Sequence, residues 1–339
     1  MSGCVGVVGA TGLVGRTMLA ILAERQVPIA ELRLFASGRL PGRTVEFRGH
    51  SIPVRELSEA GLQGVDLMLF AAGNPVSERW APLAVAAGAR VVDNSSAFRY
   101  RDEIPLVVPE INGDLLESLP ALVANPNCST IAVVMALAPL RRAATLTRLW
   151  VATYQSVSGA GGRALQELEQ GVRAGLDGPP PLGAGGAAPY AFNVVPQIAA
   201  FEDNGYTREE MKIVWETRKI LDLPSLAVSA TAVRVPVRVG HAAAVRAEFD
   251  RPFDPDEARA HWRAFPGIEV VDDPATGRYP TPLQAAGRDA VLVGRARRDL
   301  ADPRGLEFFV ASDNLRKGAA LNAVQIAEAL MAREAATRR

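Results

Sequence analysis

The chain has 339 residues, enough for two domains at roughly 150 residues each, and its 48% hydrophobic content can fill two cores. Lysine plus arginine and aspartate plus glutamate each number 37, a balance that gives no footing to nucleic acid or an anionic membrane as a partner. Two cysteines make no disulfide framework. With no basic leader ahead of Cys4 and no apolar run near the ~18 residues of a membrane span, the expectation is a cytoplasmic protein.

Residues 5–8 form an apolar run ending in Gly9-Ala10-Thr11-Gly12-Leu13-Val14-Gly15, and 16–25 then sets Met18, Leu19 and Leu22 at helical spacing. In a strand–turn–helix setting, such a glycine triplet lets the backbone approach a pyrophosphate at the helix start, so a dinucleotide site is predicted here. A second strand follows at 32–36. An NAD site wants an acidic residue about 20 residues beyond the glycines, yet Phe35-Ala36-Ser37-Gly38-Arg39 offers a hydroxyl and a guanidinium. That pair suits a 2′-phosphate and makes NADP the preferred cofactor; a solvated surface Arg39 is the other reading. A strand at 65–71, a helix at 81–88 and a strand at 89–92 continue the alternation, which implies a parallel, doubly wound sheet to about residue 127. Cys4 falls inside the first strand and reads as core.

Asn125-Pro126-Asn127-Cys128-Ser129-Thr130-Ile131 then sets a cysteine where polar turn sequence gives way to an apolar run over 131–140. That run reads as a buried helix whose first turn lies at or next to Cys128. A thiol there meets bare backbone N–H groups, and the helix dipole favours its anion by up to ~2 kcal/mol, with a cationic or basic partner needed for the rest. A buried, inert cysteine is the commoner case in general, but three turn-forming residues ahead of it argue against a core position. Beyond Cys128 the grammar changes. Stretches 148–154, 227–237 and 242–249 are strand-like and several are joined by short turns, which favours a mixed or antiparallel sheet. Residues 175–189, with Pro179-Pro180-Pro181 and the glycines at 183, 185 and 186, read as an exposed loop without an assigned role. Thr207-Arg208-Glu209-Glu210 fits a capping box opening a helix through 211–221. A final helix over 315–333 aligns Ala319, Ala320, Ala323, Val324, Ala327 and Leu330 in a stripe suited to packing back on the first domain.

A reactive thiolate beside a dinucleotide points to covalent catalysis on an aldehyde: attack gives a hemithioacetal, hydride leaves to the cofactor, and a thioester remains. The chemistry needs a base. Of His50, His241 and His261, only His241 ends a strand-like run, behind a glycine and two arginines; a structural histidine stays open beside the catalytic reading. Arg234 suits bidentate grip of a carboxylate as well as it suits an ordinary strand face. Glu216 and Lys219, three apart on one helix face, read by themselves as a solvated ion pair. Residues 154–162 follow a strand and are dense in small side chains, fitting close ligand approach or a plain flexible loop.

Together these pieces resemble the aspartate-β-semialdehyde dehydrogenase family, NADP-dependent enzymes of lysine, threonine and methionine biosynthesis. The resemblance spans nearly the whole chain through seven ordered motifs: 9–15, 92–99, 125–131, 153–161, 215–220, 234–241 and 313–320. It implies a Rossmann domain, 1–127 completed by 314–339, and an α+β catalytic and dimerisation domain, 128–313, with a mixed or antiparallel sheet, in a glyceraldehyde-3-phosphate-dehydrogenase-like architecture and a homodimer. It implies that Cys128 is the acyl-thioester nucleophile, His241 the general acid/base and Gln155 a residue that orients the intermediate. Arg234 and Glu216 would bind the carboxylate and amino groups of L-aspartate 4-semialdehyde, while Arg99 and Lys219 would hold phosphate. For the cofactor it points to Gly9, Thr11, Gly12, Leu13, Val14, Ser37, Arg39, Ser158, Gly159 and Asn314. Leu40 stands where many members carry Ser, which removes one hydroxyl from the expected 2′-phosphate site. No metal is implied. Two rivals share parts of this pattern: N-acetyl-γ-glutamyl-phosphate reductase, for whose amide substrate Glu216 would be wasted, and a non-enzymatic NADP-binding thiol redox sensor.

Overall fold

A computed structural model describes residues 3–36, 42–176 and 178–337 and divides the chain into two compact units, Met1–Asn127 with Ala319–Arg339 and Cys128–Gly318. The first unit holds β1 (Gly3–Val8), β2 (Ile29–Ala36), β3 (Thr44–Phe47), β4 (His50–Glu56), β5 (Leu67–Phe70), β6 (Arg90–Asp93) and β7 (Leu122–Ala124), in the order β3-β4-β2-β1-β5-β6-β7. Every neighbouring pair is parallel except the β3–β4 hairpin. The central strands β1 and β5 are buried on both faces, as a doubly wound sheet requires, which is why they read as unbroken apolar runs. The hairpin has no such signature, since its strands are largely exposed and carry Pro53. Its turn rests on Arg48 and Gly49, both at positive φ (49° and 79°), the geometry of a tight two-residue hairpin.

Strand order reverses at β1, with β2 on one side and β5 on the other, and the glycine turn leaves the carboxyl end of this strand. Gly9 has φ +80°, and a Cβ on Gly15 would lie 2.2 Å from the Gly9 carbonyl oxygen, so the turn can close onto the helix Leu13–Glu24 only without side chains. The helix Leu321–Thr337 buries Leu321, Val324, Ile326, Ala327 and Leu330 in the same core as Val5, Leu22 and Val92. It begins later than its periodicity predicts. Asp313 Oδ1 accepts the N–H groups of Leu315 (2.8 Å) and Arg316 (3.0 Å), and Arg316–Ala320 forms a wider π-helical turn first.

The second unit carries β8 (Leu146–Gln155), β9 (Ala227–Arg234), β10 (His241–Phe249), β11 (Ile268–Val270), β12 (Val291–Arg298) and β13 (Gly305–Ser312), ordered β11-β12-β13-β10-β8-β9. The β8–β9 and β11–β12 pairs are parallel and the rest antiparallel, a mixed sheet. The helix Cys128–Leu140 packs on β10, β12 and β13, and every residue from Ser129 to Leu140 is buried, as its all-round apolarity demands. Trp262 fastens it by donating Nε1–H to the Ala136 carbonyl at 2.8 Å. The helix Arg208–Ile220 opens with the predicted capping box: Thr207 Oγ1 accepts from Glu210 N at 3.3 Å and Glu210 Oε2 from Thr207 N at 2.6 Å. The opposite face of the sheet shows Tyr154 and Phe309, with Arg246 over the Trp150 ring at 4.2 Å. Among the described residues no helix is long and apolar enough to cross a membrane.

Candidate active site

The second sheet ends in a polar line. Gln155 on β8 is level with Arg234 on β9, and His241 on β10 is level with Ser312 on β13. The Ala242–Tyr154 pair, continued by one residue, brings His241 level with Gln155. Side chains opposite one another in a ladder share a face, so Arg234, Gln155, His241 and Ser312 form one row beneath the helices. All four are buried, at 7%, 1%, 2% and 1% exposure, whereas Tyr154, one residue away on the other face, is 39% exposed.

Ser156, the residue after β8, ties this row together. Its carbonyl accepts from Arg234 Nη1 at 2.8 Å, and its N–H donates to His241 Nδ1 at 3.0 Å. Its Oγ lies 3.0 Å from both His241 Nδ1 and Ser158 Oγ and donates to Asn314 Oδ1. Asn314 Oδ1 also accepts from Gly240 N at 2.9 Å and Ser158 Oγ at 3.1 Å. Asn314 and Ser158, expected at the cofactor, thus belong to the hydrogen-bond network around the imidazole. Because Nδ1 accepts a backbone N–H, the neutral His241 ring carries its proton on Nε2. That buried nitrogen has no hydrogen-bond partner among the described residues. Burial, reinforced by the Arg234 charge, pushes the imidazole down to about 3, so it is neutral at physiological pH.

Gly159 fits against this pair. A Cβ there would sit 2.9 Å from Arg234 Nη1 and 3.2 Å from His241 Nε2. Its φ lies outside the left-handed region, so Gly159→Ala is expected to leave the melting temperature within ~2 °C while displacing the guanidinium. Misplacement of about 1 Å can cost about 100-fold, and the expected loss in kcat/KM for substrate is of that order. Thermal melts beside steady-state kinetics check it; unchanged kinetics would show that Arg234 has no positional role.

Cys128 heads its helix as a half-buried thiol outside any disulfide, in contrast to Cys4, which is buried in β1 and whose thiol burial pushes up. Its negative charge, when present, is felt by Arg234, whose guanidinium burial pushes down from its ordinary value. Gly318, in the π-helical turn, lies against it: a Cβ on Gly318 would be 3.0 Å from Cys128 Cβ. Ser312 is a site residue that local sequence does not announce, and cross-strand register from His241 is the signal that finds it; Ser156 lies in the small-residue stretch 154–162 just past the end of β8.

Glu216 departs from the solvated ion pair read from spacing alone, being fully buried, while Lys219 one turn on is half-buried. The helix that carries them packs on β9 and on the Cys128 helix, which turns Glu216 inward. Arg99 belongs to the first unit. There Asp93 accepts Ser77 Oγ and Ser95 Oγ, each at 2.6 Å, and the ordered turn lets Arg99 Nη2 donate to the Asn94 carbonyl at 2.7 Å. Thr11, Gly12, Leu13 and Val14 lie at the head of the first helix, whose opening N–H groups have no intrahelical partner. Ser37, Arg39 and Leu40 lie outside the described residues. Among the described residues no group of three or more His, Cys, Asp or Glu side chains is placed to hold a metal ion.

Residues 4–119 match the semialdehyde dehydrogenase NAD-binding domain and residues 137–317 the semialdehyde dehydrogenase dimerisation domain. Aspartate-semialdehyde dehydrogenase of Legionella pneumophila is 51% identical over 329 residues, covering 96% of this chain and 95% of that protein. The crystal structure of aspartate semialdehyde dehydrogenase II complexed with ASA from Vibrio cholerae superposes with a TM-score of 0.93 at 45% identity, covering 98% of this chain and 99% of the other. The enzyme with NADP from Candida albicans gives 0.73 at 25% identity, covering 98% and 99%. The first unit is accordingly a nicotinamide-dinucleotide-binding domain. With its fold, its helix-heading cysteine and its relatives in agreement, the chain belongs to the aspartate-semialdehyde dehydrogenase family of oxidoreductases.

Proposed function

We propose that this chain catalyses the reversible, NADP-dependent reductive dephosphorylation of 4-phospho-L-aspartate to L-aspartate 4-semialdehyde, on the route to lysine, threonine and methionine, as a cytoplasmic homodimer. The observation that carries the reading is the buried line Arg234–Gln155–His241 in the unit whose first residue is a cysteine thiol heading an apolar helix. Cofactor binding is assigned to 1–127 with 314–339, catalysis and dimerisation to 128–313. The match to a dimerisation domain supports the last. The glycine turn fits a pyrophosphate. Ser37 and Arg39, with no acidic residue beside them, favour NADP over NAD, and Leu40 limits how strict that preference is.

When bound, the cofactor supplies or accepts hydride. The chain supplies the rest. Cys128 sulfur, favoured as thiolate by the first-turn N–H groups and the Arg234 charge, attacks the acyl carbon. The C–O bond to phosphate breaks, and phosphate leaves with a proton. The resulting thioester is reduced, the C–S bond breaks, and the aldehyde departs. His241 is the proposed acid/base. With Nδ1 accepting from Ser156, it enters as an Nε2–H donor to the sulfur and to the oxygen that gains negative charge, the acid half of the exchange. Gln155 orients the intermediate. Arg234 takes the α-carboxylate, Glu216 the α-ammonium, and Arg99 and Lys219 the phosphate. A fully buried carboxylate at Glu216 favours a charged ammonium over the acetamide of a longer acetylated substrate. The expected result is NADPH formation from L-aspartate 4-semialdehyde that depends on phosphate and is absent with the N-acetyl-γ-glutamyl analogue. Folded protein inactive in this assay overturns the reading.

A further inference from the structure

A buried carboxylate beside this row has no part in the chemistry above. Glu209 is 5% exposed, in the first turn of the helix Arg208–Ile220. Its Oε1 accepts from Gln155 Nε2 at 3.1 Å, and its Oε2 from Lys212 Nζ at 3.0 Å. The same Gln155 nitrogen lies 3.4 Å from Thr153 Oγ1. Carboxamides present nearly isosteric oxygen and nitrogen ends, and an isolated one can turn over. An ionised carboxylate has only lone pairs to offer, so the group that meets it must be the NH2 end. Both hydrogens of that nitrogen are then committed, to Glu209 and to Thr153, and the carbonyl oxygen is what Gln155 has left for a ligand.

We propose that Glu209 is a positioning residue: it locks the Gln155 carboxamide so that the site presents an acceptor there, matched to a donor-bearing substrate such as one with an ammonium group. The inference rests on the enzymatic reading above. Lys212 holds the carboxylate in place through an ion pair at 3.0 Å, with side-chain exposures of 19% for the lysine and 6% for the glutamate. The Glu209 charge also reaches Arg234 and His241, where it opposes the effect of burial on both.

The test is a double-mutant cycle in the full-length protein. Glu209→Gln offers Gln155 either end of an amide and frees it to turn over. The expected result is a loss of about 10- to 100-fold in kcat/KM for the semialdehyde, with KM for phosphate within about twofold. In a Gln155→Met background the same change is expected to add less than about threefold, because the residue it acts through is gone. Glu209→Asp, which keeps an acceptor-only partner, is expected to recover most of the loss and serves if the glutamine variant folds poorly. An equal loss in both backgrounds, or no recovery by aspartate, assigns Glu209 a merely structural role and overturns the proposal. A fully active Glu209→Gln beside an active wild type overturns it alone; an inactive wild type removes the enzymatic reading and this inference with it.

Discussion

Cys128→Ala is expected to lower kcat by at least about 10⁴-fold while leaving the dissociation constant for NADP within about twofold. The variant removes the only atom that can carry the acyl group, and the chain has no substitute. Its other cysteine, Cys4, is buried in β1 of the first unit, with its backbone N–H donating to Asp66 at 2.7 Å. The substitution removes one sulfur from a half-buried helix start, so folding is expected to survive. Mass spectrometry of wild-type protein quenched with semialdehyde and NADP, phosphate omitted, should find an acyl group on the peptide containing Cys128, and none in the variant. Residual turnover within tenfold of wild type would mean that no thioester lies on the path. An acyl adduct would also set aside the thiol sensor, which needs an oxidised rather than an acylated sulfur.

Acid stability is the second large effect. His241 titrates near 6.5 when unfolded but is held down to about 3 in the folded protein, by burial first and the Arg234 charge second. Between those values the unfolded chain binds a proton that the folded one refuses. The stabilisation is therefore complete above about 6.5 and is lost as pH falls toward 3, by up to ~1.4 kcal/mol per pH unit. From pH 7.5 to 5 the expected loss from this one group is about 2 kcal/mol. His241→Gln has nothing to titrate there. Urea unfolding of both proteins at the two pH values should show wild type losing about 2 kcal/mol more than the variant. Equal losses would show that the native imidazole takes up its proton as readily as the unfolded one, and would end its description as a neutral Nε2–H donor held so by burial.

How much of this could be seen in the sequence depended on how local each feature is. The apolar helix behind Cys128, the strand–glycine–helix opening and the Thr207–Glu210 cap are each set by residues within two turns of one another, and all three stand in the structure. The hairpin β3–β4 and strands β11 to β13 went unread. The hairpin is mostly exposed, and β12 ends in a run of arginines, so neither shows an unbroken apolar signal. The site divides in the same way. Cys128, His241 and Arg234 stand out by their immediate neighbours. That Arg234, Gln155 and His241 line up follows from pairing between strands as much as 86 residues apart in sequence, and only that register brings in Ser312. The burial of Glu216 depends on which side of its helix meets β9, which spacing within the helix leaves open.

The row across β9, β8, β10 and β13 carries a consequence for how such a protein can vary. Pleated strands have a parity of two, so one inserted or deleted residue in β8, β9 or β10 would swing Tyr154, Val233 or Ala242 inward in place of Gln155, Arg234 or His241. Chemistry and hydrophobic packing are locked to the same frame. New substrate preferences can therefore accumulate here only by substitution, while changes in length are pushed out to segments such as the proline- and glycine-rich stretch at 175–189.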